Sequence, residues 1–254
     1  MKHLILAAAM TALSAPALAS PISFKGAELV SLPNIVFPTG NQTIVGDSLL
    51  LNVVGEFSAL ASLSLDSFNV DVRDFEVQID VTKLRRDDNV LDQDLRIYLS
   101  DGVNVFGGVF VDGSPDNAGT TRVDARRDEL LGDGQSFRFI ESVGFSTLAP
   151  AAFDNNYLAT VRIQAAATQT SITGDINNGA VRITGSTTTL FDPNNGGLSL
   201  VIGGSEFGEN YLINSVTFTR GVSAPTAVSE PGTLGGLALG LATLGLGLYR
   251  RRFA

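Results

Sequence analysis

LRIYLSDGVNVFGGVFVDG (residues 95–113) is the stretch that decides the fold. Ile97 and Leu99 approach a central Asp101-Gly102 pair, and Val103 and Val105 leave it. Asp-Gly favours positive φ and closes tight turns between strands, so the stretch predicts a β-hairpin. Val109 and Val111 carry the second strand on to another turn pair, Asp112-Gly113.

The same period of two recurs on both sides of this hairpin. In SFNVDVR (67–73), Phe68, Val70 and Val72 share a face; in FEVQIDVTKL (75–84), Phe75, Val77, Ile79 and Val81 do. The apolar parity flips between Val72 and Phe75, so a bulge or a tight turn at Arg73-Asp74 must absorb the shift. Further strands are expected at Phe137–Glu141, Leu158–Ala166, Ala180–Thr184, Leu198–Ile202 and Tyr211–Thr219. Turn clusters rich in Asp, Asn and Gly separate them: DGSPDNAG, DNN, GDINNG and DPNNGG. Many short strands with such punctuation, and almost no helical period, predict an all-β, antiparallel jelly-roll-like sandwich over residues 20–221. TKLRRDDN and DARRDEL alternate in charge and read as solvated hairpin ends or loops, with Arg85, Arg86, Arg126 and Arg127 as candidate contacts to acidic polysaccharide.

Composition removes several function classes. The 254 residues contain no Cys and a single His, His3. Thiolate chemistry, Ser-His-Asp catalysis and a structural zinc of the usual kind are therefore excluded from residues 20–229. That span holds 13 basic and 25 acidic residues, a net charge of −12, and the whole chain is −9. Nucleic acid is a poor partner for such a surface. Trp is absent, which leaves Tyr98, Tyr157 and Tyr211 as the tyrosines that could stack on sugar rings.

The two ends carry transport information. MKHLILAAAMTALSAPALAS (1–20) has a basic start at Lys2, an apolar run, a breaker at Pro16, and a small-x-small site at Ala17-Leu18-Ala19. It reads as a signal peptide over 1–19, with Ala17 and Ala19 as the peptidase recognition residues. At the other end, VSAPTAV (222–228) reads as a linker. It leads into SEPGTLGGLALGLATLGLGLYRRRFA (229–254). Sixteen uncharged residues, Thr233 to Leu248, lie between Glu230-Pro231-Gly232 and Arg250-Arg251-Arg252. As a helix they span about 24 Å, against a hydrocarbon core of about 30 Å, and the arginines favour a cytoplasmic end.

This arrangement of Ser229, Glu230, Pro231 and Gly232, a Gly/Leu-rich transmembrane helix over about 233–249 and a basic tail at 250–252 resembles the PEP-CTERM sorting signal of exported bacterial proteins. Ser229 stands where the family pattern has a first proline. The resemblance implies transient insertion in the inner membrane, recognition by an exosortase-type processing enzyme, and release to the cell surface or extracellular matrix. It associates the protein with bacteria that make extracellular polysaccharide. The strand order across residues 65–220 is in turn similar to concanavalin A and laminin-G jelly rolls, carried by FEVQIDVTKL, the 95–113 hairpin, GLSLVIG and NYLINSVTFTR.

Candidate chemistry within the domain is sparse. Glu76, Gln78 and Asp80 share a strand face. Residues four apart in a strand lie about 13 Å apart, whereas retaining glycosidases hold their carboxyls about 5–5.5 Å apart. A solvated strand face accounts for them. No cofactor is expected. Calcium is the one ion that oxygen-rich loops such as these could hold, with Asp112, Asp116 and Asn117 as the candidate ligands and Asp192, Asn194 and Asn195 as a second set. Turn chemistry explains both sets equally well. The expected function is a non-enzymatic, glycan-associated or structural surface module; the alternative is an extracellular glycan-degrading hydrolase on the same fold.

Overall fold

In the computed structural model the described residues are 20–38, 40–52, 58–71, 73–84, 93–112, 121–132, 136–148, 156–192, 194–195, 197–204 and 210–223. They begin with β1 (Ile22–Lys25), a single-turn helix α1 (Gly26–Leu29), β2 (Ile35–Val36), β3 (Gln42–Val45), β4 (Ser48–Asn52), β5 (Ser58–Ser64) and β6 (Asn69–Val70). Four longer strands follow: β7 (Phe75–Leu84), β8 (Gln93–Ser100), β9 (Asn104–Asp112) and β10 (Thr121–Leu130). The rest are β11 (Phe137–Leu148), β12 (Asn156–Ala165), β13 (Thr170–Ile176), β14 (Val181–Thr187), β15 (Ser199–Gly204), β16 (Asn210–Arg220) and β17 (Val222–Ser223).

The strands form two antiparallel sheets. One runs β14-β13-β12-β7-β16-β4-β3, with β1 also on β16; the other runs β11-β10-β9-β8-β15-β5-β2. Early strands leave gaps that late strands fill. β16 enters between β4 and β7, and β15 enters between β5 and β8. This double insertion closes the sandwich and makes it jelly-roll-like. β17 pairs with β6, so ordered structure extends through Val222 and Ser223, the first two residues of the stretch read as linker.

Alternation along each strand builds the core. Phe75, Val77, Ile79 and Val81 of β7 face Leu95, Ile97 and Leu99 of β8, together with Phe106 and Phe110 of β9. Each such side chain removed from water contributes about 1.5–3 kcal/mol before conformational entropy is counted. The parity flip before β7 is resolved by a turn: Asp71 accepts from the Arg73 amide at 3.1 Å and from its guanidinium at 2.8 Å. The hairpin turn at Asp101-Gly102 also forms, with Gly102 at φ 91°. Its four-residue span shifts the phase of β9. Val105 and Val109 therefore leave the central core, which takes Phe106 and Phe110 instead.

One expectation fails outright. DARRDEL is not a solvated loop. It lies within β10, between β9 and β11, where Asp124 and Asp128 are buried. Its period of two was hidden because charged residues rarely occupy a covered sheet face. Arg85 and Arg86 lie outside the described residues.

The two sheets approach most closely at the β11 and β14 edges. A Cβ on Gly185 would sit 2.1 Å from the carbonyl oxygen of Val143. Gly185→Ala must push the edges apart, and should destabilise the domain by about 1–3 kcal/mol in urea unfolding, as overpacking does elsewhere. A loss under about 0.5 kcal/mol would contradict this account of the edge.

Candidate functional site

The two sorting elements lie outside the described residues: Ala17 and Ala19 at one end, and Ser229, Glu230, Pro231, Gly232, Arg250, Arg251 and Arg252 at the other. So do Asp116, Asn117 and the side chain of Asp112, whose backbone ends β9. Among the described residues, no helix is long and apolar enough to cross a membrane, and no group of three or more Asp, Glu or His could hold a metal ion.

The second set of loop oxygens does turn work. Asp192 accepts from the amide and side chain of Asn194 at 2.9 and 3.0 Å. The buried Asp101 carboxylate accepts from the amides of Val103, Asn104 and Asp192, at 3.1, 2.7 and 3.2 Å. It thereby pins the β8–β9 turn to the segment before β15.

The strand face of Glu76, Gln78 and Asp80 is the outer face of the eight-stranded sheet. Register sets Glu76 between Arg162 of β12 and Arg220 of β16. Glu76 accepts from Thr219 at 2.6 Å, and both guanidinium groups stand 3.9 Å from its other oxygen. Asp80 accepts from Asn214 at 3.2 Å. Neighbouring Asp74 takes a two-point contact from Arg162 at 2.6 and 2.8 Å, which holds its carboxyl below the usual range despite partial burial. A general acid needs the opposite shift. These acids are held as cross-strand pairs.

The opposite layer is chemically richer. On the outer face of the seven-stranded sheet, pairing aligns three rows across β11, β10, β9 and β8. They are Phe145–Asp124–Val109–Arg96, Ser142–Arg126–Gly107–Tyr98 and Phe139–Asp128–Val105–Ser100. The β8 and β9 part is a second, smaller apolar cluster of Tyr98, Val105, Val109, Ala59, Val201 and Phe137. Phe137 meets Tyr98 edge-on, with ring centroids 5.3 Å apart.

Charges are embedded in that cluster. The Tyr98 hydroxyl donates to Asp128 at 2.7 Å, and Arg96 stands 3.6 Å from the same carboxylate. Side-chain exposure is 2% for Arg96 and 0% for Asp128. Burial raises the Asp128 carboxyl above the ordinary range, against the Tyr98 hydrogen bond and the Arg126 and Arg96 charges. Burial and the nearby Asp128 charge push the Tyr98 hydroxyl well up as well. The Tyr98 ring fits because Gly107 lies opposite it: a Cβ there would come within 2.8 Å of the ring. Toward the sheet edge, Arg126 bonds Asp124 at 3.0 Å, Ser142 donates to Asp124, and the Arg126 guanidinium carbon lies 4.8 Å from the Phe139 ring centroid.

None of the three tyrosines read as sugar platforms is available. Tyr98, Tyr157 and Tyr211 are buried. Among the described residues, the exposed aromatics are Phe139 and Phe145, at 58% and 64%. The sequence carried one signal for them: FRFIESVGFSTL places phenylalanines at 137, 139 and 145 within one strand. Two bulges between β10 and β11 set which of these face out, and bulges leave no fixed mark in sequence.

No protein-family model matches the chain, and no curated protein does. Solved structures do. Peanut lectin with a nine-residue peptide is similar at TM-score 0.49 and 13% identity, over 79% of this chain and 97% of that one. The Ca2+-bound exoplasmic/lumenal domain of VIP36 is similar at TM-score 0.47 and 14% identity, over 78% and 89%. A legume lectin-like domain from Entamoeba histolytica gives TM-score 0.45 and 11% identity, over 78% and 96%.

Tyr98→Phe tests the buried network. It strips the Asp128 carboxylate of a donor and should cost about 1–3 kcal/mol where that group is ionised. The folded carboxyl titrates above its unfolded counterpart, so folding favours its protonated form. The cost should therefore be largest above the folded pKa and shrink as pH falls below it. Urea unfolding at a series of pH values reads both effects. An equal cost at every pH would refute the assignment.

Proposed function

We propose that this chain is an exported bacterial protein of the cell surface or extracellular matrix, and that its β-sandwich is a non-enzymatic, glycan-associated module. The observation that carries the reading is the pairing of two end signals around one acidic domain. A leader ends at Ala17-Leu18-Ala19, and a Glu230-Pro231 turn, greasy helix and Arg250-Arg251-Arg252 close the chain. The likeness to PEP-CTERM tails gives the partner, an exosortase-type membrane enzyme that removes the tail after transient insertion in the inner membrane.

Two features support a binding or structural role over hydrolysis. Residues 20–229 contain no imidazole and no thiol. Among the described residues, the acids of the β7 strand face, Glu76 and Asp80, and neighbouring Asp74 are engaged by Arg162, Arg220, Thr219 and Asn214. Extracellular polysaccharide is the partner of this role, in the setting that the tail implies.

Processing is directly measurable. Intact-mass analysis of the secreted protein should find Ser20 as the first residue and nothing after about residue 230, the sorting turn. A secreted form that retains Arg252 would defeat the sorting assignment.

A further inference from the structure

We infer that Phe139 and Phe145 are two stacking platforms of one binding face for an uncharged polysaccharide chain. The inference rests on the glycan-associated reading above and supplies its site and ligand class.

Position is the first argument. Both phenyl rings are more than half exposed, and both lie on the same face of β11, opposite Asp128 and Asp124. A large aromatic ring left in water on a sheet face is informative in a way that a scattered exposed valine is not. The pairing sets the two rings opposite residues four apart on β10, about 13 Å along the strand. That is too far for one sugar ring to bridge and suits an extended chain lying along the strand.

The chemistry between the rings fixes the charge of the ligand. Ser142 and the Arg126–Asp124 pair lie there. The pair is internally neutral, and Arg126 is already committed to Asp124 and to the Phe139 ring. Among the described residues, no cation between the two rings is left over for a carboxylated or sulfated sugar, and the −12 charge of residues 20–229 repels a polyanion. What remains is the exposed Ser142 hydroxyl oxygen and two ring faces. Hydroxyls of a neutral sugar can donate to the Ser142 oxygen, and its C–H faces suit the electron-rich face of a phenyl ring.

The platform is also rigid. Arg126 fixes Phe139 from one side. The next strands inward carry the buried Tyr98, Asp128 and Arg96 contacts, which hold β10 against β8. Pre-set rings lose little freedom on binding, and this is how aromatic contacts yield affinity.

Affinity electrophoresis of the secreted protein tests this, using gels that contain soluble uncharged glucan, galactan or mannan, or acidic alginate. At least one uncharged polymer should retard the protein, and alginate should not. Phe139→Ala and Phe145→Ala should each weaken retardation about fivefold or more, the loss typical of an interface anchor. Thermal melting of both variants should stay close to that of the parent, because neither ring is core. Retardation that both variants retain would overturn the face while leaving the glycan-associated reading intact. Retardation by none of the polymers would overturn both. A double variant that changes sedimentation from dimer to monomer with unaltered glycan binding would make this face a contact between copies and overturn the inference.

Discussion

A carboxylate with no access to water organises the outer face of the seven-stranded sheet. Asp128 sits on β10, accepts the Tyr98 hydroxyl from β8 at 2.7 Å, and has Arg96 3.6 Å away. Burying a charge is costly unless it is paired and hydrogen-bonded, so the three side chains are tolerated only together. Between β8 and β10 runs β9, and the contact across it requires Gly107 under the Tyr98 ring. One polar contact thus fixes the relative register of three strands. A one-residue slip would send Asp128 into the central core and Val123 and Ala125 out of it.

The two outer faces of the sandwich then divide in character. On the eight-stranded sheet, acid meets base across strands: Asp74 and Glu76 lie between Arg162 and Arg220, and Asp175 meets Arg182 at 2.6 Å. Hydroxyl pairs add to this, Thr173 with Thr184 and Ser171 with Ser186. Such a face satisfies itself. On the seven-stranded sheet, polar groups are drawn inward around Asp128 and Asp124, and apolar rings are left outside. That inverts the usual order of a solvated sheet face.

The parts legible in sequence were those where alternation and turn chemistry agreed. FEVQIDVTKL, the 95–113 hairpin and NYLINSVTFTR all form strands, and the Arg73-Asp74 turn appears where the parity flip demanded it. β10 was illegible because its outward row, Asp124, Arg126 and Asp128, looks solvated until neighbouring strands cover it. The tyrosines misled for a related reason. Their hydroxyls suggest a wet surface, yet each is sunk in an apolar cluster. Phe139 and Phe145 were missed because phenylalanine is by default a core residue. Only strand pairing and two bulges place them outside. Short strands β1 to β5 left little trace, since each depends on the sheet it joins more than on its own pattern.

The central claim is that Tyr98 and Asp128 act as one unit that holds β8, β9 and β10 in register. A double-mutant cycle with Tyr98→Phe and Asp128→Asn, read by urea unfolding near neutral pH, measures that coupling directly. The account predicts a coupling of at least about 1 kcal/mol, within the range of residues that share a buried hydrogen-bond network. Additive costs, within about 0.3–0.5 kcal/mol, would contradict it.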